Sequence, residues 1–406
     1  MDAALAQVKQ LAETVSPLNR PGVILDLMKV VHSLETPEDM FQRVGAMSLQ
    51  TTAVVIGLDL KLFEILAEAE KPLTLDELAQ NTGAERALLG KYQIRDPLVL
   101  DAINQRESSN TRILARLLRY LRSIGMVDEV SANTFIANHA TRHLTTKVSQ
   151  AGIRHYFYTC HPAYHALPAY LKKTEYKNPA DATYTSWHVG HNTEKSPFVW
   201  FADKPKHMSY FNDLMATRRR PELSWLSVYP VKQEVSGWPD EKTVYVDIGG
   251  NIGHQCAEFK EAYPDVPGRV VLQDMAHSIA AALPTPGVEK MVHNFFEPQP
   301  IKGAKFYFMR GVLHDHPDHK VEEILKHIRN AMTEKSLLLV DEILVPEFGV
   351  NLEASAHDMT MLAACAGAER SEVQWIETFG RLGLRLVKTY LYNAPSYESV
   401  MDVRLA

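Results

Sequence analysis

The sequence predicts an α/β protein: a doubly wound parallel sheet preceded by a mostly helical winged-helix region. Short apolar runs at 244–248, 270–274, 306–310 and 337–341 alternate with helical stretches at 254–263, 278–283 and 320–332. That rhythm packs helices on both faces of a parallel sheet. The first run meets a glycine cluster, Gly249-Gly250-Asn251-Ile252-Gly253, the kind of turn that joins a strand to a helix in such folds. In the N-terminal half, helix, turn, helix and hairpin follow in the order of a winged helix.

The elements read in chain order as follows. Residues 1–34 have helical spacing at Leu5, Val8, Leu11 and Val15, interrupted by Pro17 and Pro21. This arm, bounded here as 1–40, has no core of its own, so it is expected to pack on a partner or a neighbouring domain. The winged helix occupies 41–150. Thr74 with Glu77 forms a capping box, residues 111–123 form a strongly periodic helix, and 126–137 alternate as a small hairpin. Residues 88–110 are polar, carry Pro97 and fit the module poorly, so they read as an insertion. Residues 151–240 are rich in Tyr, Phe and Trp, which fill cores and line apolar ring-binding pockets. Residues 241–406 hold the sheet.

Composition narrows the function. The chain has 406 residues, enough for two cores, and a net charge of −6. Arg112, Arg116, Arg119 and Arg122 lie on the third winged-helix element. Leu114, Leu117, Leu118 and Leu121 share that helix, so the arginines also read as its solvated face. With no further basic patch and an acidic chain, nucleic acid is not an expected partner, and the module is read as dimerising or lid-forming. No apolar run is long enough to span a membrane. No apolar leader opens the sequence, and three cysteines without a CxxC pair suit a reducing compartment. A cytoplasmic protein is expected.

Two motifs carry chemistry. Gly249 and Gly250 let a ligand approach the backbone, and Asp274 closes the second strand where a carboxylate meets a ribose diol. Together they indicate an adenosine-containing ligand. No Lys-Ser/Thr follows the glycines, which argues against an ATP-type loop. The second motif, Leu313-His314-Asp315-His316-Pro317-Asp318-His319, follows the strand ending at Arg310. His314 suits a general base steered by a carboxylate, with Glu342 and Glu369 as candidates. A metal is not expected, because consecutive residues on a turn rarely converge on one ion. The plainer alternative is a helix start, with Asp315 and Asp318 in the first turn of the helix at Lys320.

Asp247-Ile248-Gly249-Gly250, Gln273-Asp274, Arg310-Gly311-Val312-Leu313-His314-Asp315, Asp341-Glu342 and Gly367-Ala368-Glu369-Arg370 occur in one order. In this the chain resembles the cation-independent class I O-methyltransferases, the plant caffeic-acid type and its fungal relatives. The likeness covers nearly the whole chain apart from 88–110. It implies a Rossmann-type domain that binds S-adenosylmethionine, a winged-helix dimerisation domain, a homodimer, and a small aromatic or polyketide-derived substrate with a phenolic or enolic hydroxyl. By the same resemblance, Gly249 meets the cofactor's methionine part, Gly250 belongs to the same cofactor-binding turn, Asp274 meets the ribose, and Asn294 and Phe295 flank the adenine. Arg310 lies beside the cofactor where a lysine is usual. His314 is the base, with Glu342 and Glu369 steering it. Three positions depart from the pattern: the loop reads Gly-Gly-Asn-Ile-Gly, Asn294 replaces an acid, and His316 replaces tryptophan. One fungal branch keeps the cofactor yet catalyses dehydration and pericyclic cyclisation of polyketide–pyridone intermediates, with His and Arg side chains holding the substrate. His161, Arg218, Arg310 and His314 are candidates for that role, and Met361 for the wall of the pocket. His161 also reads as a helix-end residue.

Overall fold

The computed structural model describes residues 2–16, 19–82, 113–217 and 223–406. The expected insertion at 88–110 and Arg218 lie outside these residues. The chain folds as two compact units, one of residues 28–161 and 205–218, the other of 1–27, 162–204 and 219–406. Among the described residues no helix is long and apolar enough to cross a membrane.

In the first unit, strands β1 (Leu73–Thr74), β2 (Asp128–Ser131) and β3 (Thr134–Ile136) form an antiparallel sheet ordered β1-β3-β2. The Glu77 carboxylate accepts from the Thr74 N–H at 2.8 Å, and the Thr74 hydroxyl accepts from the Glu77 N–H at 3.3 Å. This closes the capping box at the start of helix Leu75–Thr82. Helix 113–123 buries Leu114, Leu118 and Leu121 against Phe63, Leu78 and Phe135 and leaves Arg116, Arg119 and Arg122 exposed. The arginines therefore sit on its solvated face. Helix Asp2–Thr14 of the second unit buries none of its residues, and neither does helix Arg20–Leu34, which spans the boundary of the two units. Pro21 stands in the first turn of the second helix rather than interrupting one, because a first-turn residue has no helical N–H bond to lose.

The second unit holds the seven-stranded sheet. Its strands are β4 (Thr243–Ile248), β5 (Arg269–Asp274), β6 (Val288–Val292), β7 (Phe306–Arg310), β8 (Leu337–Ile343), β9 (Leu384–Asn393) and β10 (Glu398–Leu405). They run in the order β6-β5-β4-β7-β8-β10-β9. The sheet is parallel from β6 to β8, and β10 pairs antiparallel with β8 and β9. The four expected strands stand where their apolar runs placed them. β6, β9 and β10 were not foreseen. β6 and β9 are edge strands with half-wet, charged sequences that lack a continuous apolar run.

Alternation along the central strands builds two cores. Val246, Ile248, Tyr307, Met309, Leu338 and Val340 pack with Val321, Ile324 and Phe379 from helices Asp318–Arg329 and Glu372–Arg381. Tyr245, Phe306, Phe308 and Leu339 pack on the other face with Trp225 and Phe259. The strand order reverses between β4 and β7, so the crevice for a ligand opens at their carboxyl ends.

Candidate functional site

At the carboxyl end of β4 the chain turns through Gly249 at φ +72°. A Cβ there would lie 2.9 Å from Val312 Cγ2 and 3.6 Å from Phe295 Cε1, and one on Gly250 would collide with the Asp247 carboxylate. Bare backbone is thus required along this edge. Asp274 ends β5, half-buried, with Oδ2 accepting the Asn251 N–H at 2.8 Å and Oδ1 accepting the Met275 N–H at 2.7 Å. Each oxygen keeps acceptor capacity for a vicinal diol. Phe295 and Phe296 follow β6, and the Asn294 side chain accepts the Phe296 N–H at 3.2 Å, fixing that turn. A bare glycine edge with the Phe295 ring against it and a carboxylate at the end of β5 with acceptor capacity to spare fit an adenosine cofactor. Arg310 ends β7 with its guanidinium 3.4 Å from Asp341, 3.3 Å from Glu398 and over the ring of Tyr392.

His314 lies in a buried 3-10 turn, Leu313–Asp315, after β7. The helix begins at Asp318, so Asp315 is not a first-turn cap. Its side chain is drawn into the His314 pocket, and burial pushes its carboxyl up. Two elements converge on the turn of His314. Glu342, near the end of β8, accepts the backbone N–H groups of Val312, Leu313 and His314 through Oε1 at 3.3, 2.9 and 3.3 Å. Its Oε2 lies 3.3 Å from His314 Nδ1. Glu369, beyond helix Leu352–Cys365, lies 2.8 Å from the same nitrogen through Oε1. An ionised carboxylate only accepts, so Nδ1 carries the proton and Nε2 is left for a ligand.

Burial alone would depress the His314 pKa. The charges of Glu342, Glu369 and Asp315 outweigh it and push the imidazole up to about 10. The Glu369 carboxyl is pulled down, against its burial, by His314 and by a second imidazole, His357. His357, on helix Leu352–Cys365, lies 2.6 Å from Glu369 Oε1 through its own Nδ1. His314, His357 and Glu369 each place a donor atom within 4.8 Å of the other two. N–H···O bonds account for that closeness.

Backbone contacts lock this arrangement. A Cβ on Gly367 would overlap the carbonyl oxygen of His314, so only glycine lets the 367–370 segment close over the turn. Ala368 N–H donates to His314 O at 3.0 Å. Arg370 donates to the carbonyls of Leu313 and His316 at 3.3 and 2.9 Å and pairs with Asp318 at 2.7 Å. His316 turns away from this ring of charge. It lies edge-on to Phe295 and Phe296 at 5.5 and 5.2 Å, and burial, aided by His314, Arg370 and Lys320, pulls it down to about 4.

The structure thus brings His314, Glu342 and Glu369 together and sets Gly249, Gly250, Asp274, Asn294 and Phe295 along the ends of β4, β5 and β6. Met361 is buried one helical turn beyond His357. His161 does not stand at a helix end: the chain stays helical from Lys147 through the π-helical stretch Tyr156–Cys160 and on to Lys173, and His161 belongs to the other unit. Sequence reasoning missed His357, Asp358 and Arg370. The available signals were the four-residue spacing of His357 from Met361 and the place of Arg370 next to Glu369.

Known proteins share this sequence and fold. The O-methyltransferase domain family matches residues 197–385. The chain is 34% identical over 399 residues to the O-methyltransferase lepI of Aspergillus flavus, covering 97% of this chain and 96% of that protein. It also resembles a solved structure described as a pericyclic reaction enzyme, at 33% identity and a TM-score of 0.84, covering 100% of this chain and 99% of the other. The structure of LepI in complex with SAM matches at 33% identity and a TM-score of 0.84, covering 100% and 98%. The chain belongs to the S-adenosylmethionine-dependent O-methyltransferase family.

Proposed function

We propose that this protein methylates a phenolic or enolic hydroxyl of a small, flat, polyketide-like substrate, with His314 as the base. The carrying observation is the His314–Glu369 hydrogen bond of 2.8 Å. It commits Nδ1 to a carboxylate and presents Nε2 to the acceptor hydroxyl, the arrangement a general base needs. Gly249, Gly250 and Asp274 would hold S-adenosylmethionine by its methionine part and ribose, and Phe295 with Asn294 would flank its adenine. When bound, the cofactor supplies a sulfonium-activated methyl group and a positive charge that disfavours a cationic imidazole. His314 takes the hydroxyl proton at Nε2, and Glu369 and Glu342 hold the resulting imidazolium. Met361 contributes apolar wall.

A second reading rests on the charge of His314. Pushed up to about 10, the ring is an imidazolium at neutral pH in the bare protein and donates a hydrogen bond rather than accepting a proton. In that reading the bound sulfonium only stabilises developing negative charge during a dehydration or pericyclic closure. His161, Arg218 and Arg310 are proposed substrate donors there. Incubation with the cofactor and a panel of hydroxylated polyketides separates the readings. Methyl transfer releases one S-adenosylhomocysteine per product, and product without it overturns the first reading.

We further propose a cytoplasmic homodimer. The N-terminal arm, with exposed Ile24, Leu25, Val30 and Leu34, supports the dimer, and three buried cysteines outside any disulfide suit a reducing compartment.

A further inference from the structure

Glu369 is a divided carboxylate. Its Oε1 meets two imidazoles, His314 Nδ1 at 2.8 Å and His357 Nδ1 at 2.6 Å. Its Oε2 is buried and has no hydrogen-bond partner among the described residues. Both imidazoles therefore draw on one oxygen, and two N–H donors on one oxygen share its lone pairs. The rings stand 5.2 Å apart between centres, inclined at 38°. His357 and the His314 turn come from different elements, and Asp358, next to His357, accepts the Glu369 backbone N–H at 2.8 Å. The helix is thus anchored to Glu369 at two adjacent residues, one through the backbone and one through the carboxylate oxygen that serves His314.

We propose that His357 is a positioning residue that sets, through Glu369, how firmly His314 holds its proton. The proposal rests on the reading of His314 as the acid–base group of this site. An N–H donated to a carboxylate stabilises its charge. A carboxylate so stabilised gives less of that charge to its other partner. His357 thereby weakens the grip of Glu369 on the His314 imidazolium and moves the base toward the neutral range where it works best. The other charged groups around this pair are Glu342 from β8, Asp315 from the turn of His314 itself, Asp358 from the helix of His357, and Arg370 from the segment of Glu369. None of them shares Glu369 Oε1, so the effect belongs to His357. A purely architectural bond would tie the helix down and leave the proton affinity of His314 alone.

The test is the titration of the His314 ring, followed by nuclear magnetic resonance in the full-length protein. His357→Phe and His357→Leu remove the donor, and His357→Asn keeps an N–H in nearly the same place. In the first two, the proton affinity of His314 is expected to rise about threefold or more, roughly half a pH unit. The rising limb of kcat/KM against pH moves upward with it. His357→Asn stays within about 1.5-fold of the parent by the same scale. An unchanged His314 titration in the donor-less variants overturns the proposal, and so does His357→Asn shifting as far as they do. A failure of the methyl-transfer reading is seen separately, as products forming without S-adenosylhomocysteine while the His314 titration still responds to His357.

Discussion

His314 and His316 are two residues apart and live in opposite surroundings. His314 is ringed by Glu342, Glu369 and Asp315 and is pushed up to about 10. His316 faces Phe295 and Phe296, with cations as its nearest charges, and is pulled down to about 4. Both rings are largely buried, so burial does not separate them. Charge does: the same desolvation is overridden by carboxylates in one pocket and reinforced by His314, Arg370 and Lys320 in the other. In the proposed function the first histidine serves proton chemistry and the second is an uncharged wall.

The strongest challenge to this contrast is to remove the reactive ring. His314→Ala should lower turnover by about 10²–10⁴-fold, the usual worth of general base catalysis. Calorimetric affinity for S-adenosylhomocysteine should stay close to that of the parent. A variant that methylates normally would show that the charged pocket is not the reacting one.

A smaller effect is expected when one carboxylate is neutralised. In the methylation reading His314 must be free of its proton, so kcat/KM rises with pH as the imidazolium dissociates. Glu342→Gln removes a negative charge that favours the imidazolium, so the His314 value falls and the limb shifts to lower pH, by about one unit. A limb that stays in place or moves upward would detach the ionisation from this pocket.

The smallest change is expected at His316. A neutral ring packed on two phenylalanines has no proton to trade, so His316→Phe should keep kcat/KM within about threefold and thermal stability within about 1 kcal/mol. A large loss with this variant, read alongside the pH profile, would give His316 a chemical role and collapse the contrast.

Legibility differed between the two halves of the site. The cofactor edge is local: Gly249, Gly250 and the strand before them are contiguous, and the need for bare backbone is met within a few residues. Asp274 could be placed by counting one strand further, because parallel strands end at a common edge. The pocket of His314 is long-range. Glu342 and Glu369 were named from the order of motifs, but nothing in that order told which nitrogen they hold. His357 was passed over as one of many histidines. The plainer reading of the histidine-rich turn, a helix start, holds for Asp318 and not for Asp315.

By itself the sequence determined the central strands, their helices, the winged-helix capping box and the glycine edge, because each depends on spacing or chirality within a few residues. Tertiary structure decided the antiparallel hairpin that completes the sheet, the sharing of Glu369 between His314 and His357, and the opposite charge states of His314 and His316. Those outcomes depend on distances between groups far apart in the chain, and the Coulomb and desolvation energies that separate two identical imidazoles exist only once the fold has set those distances.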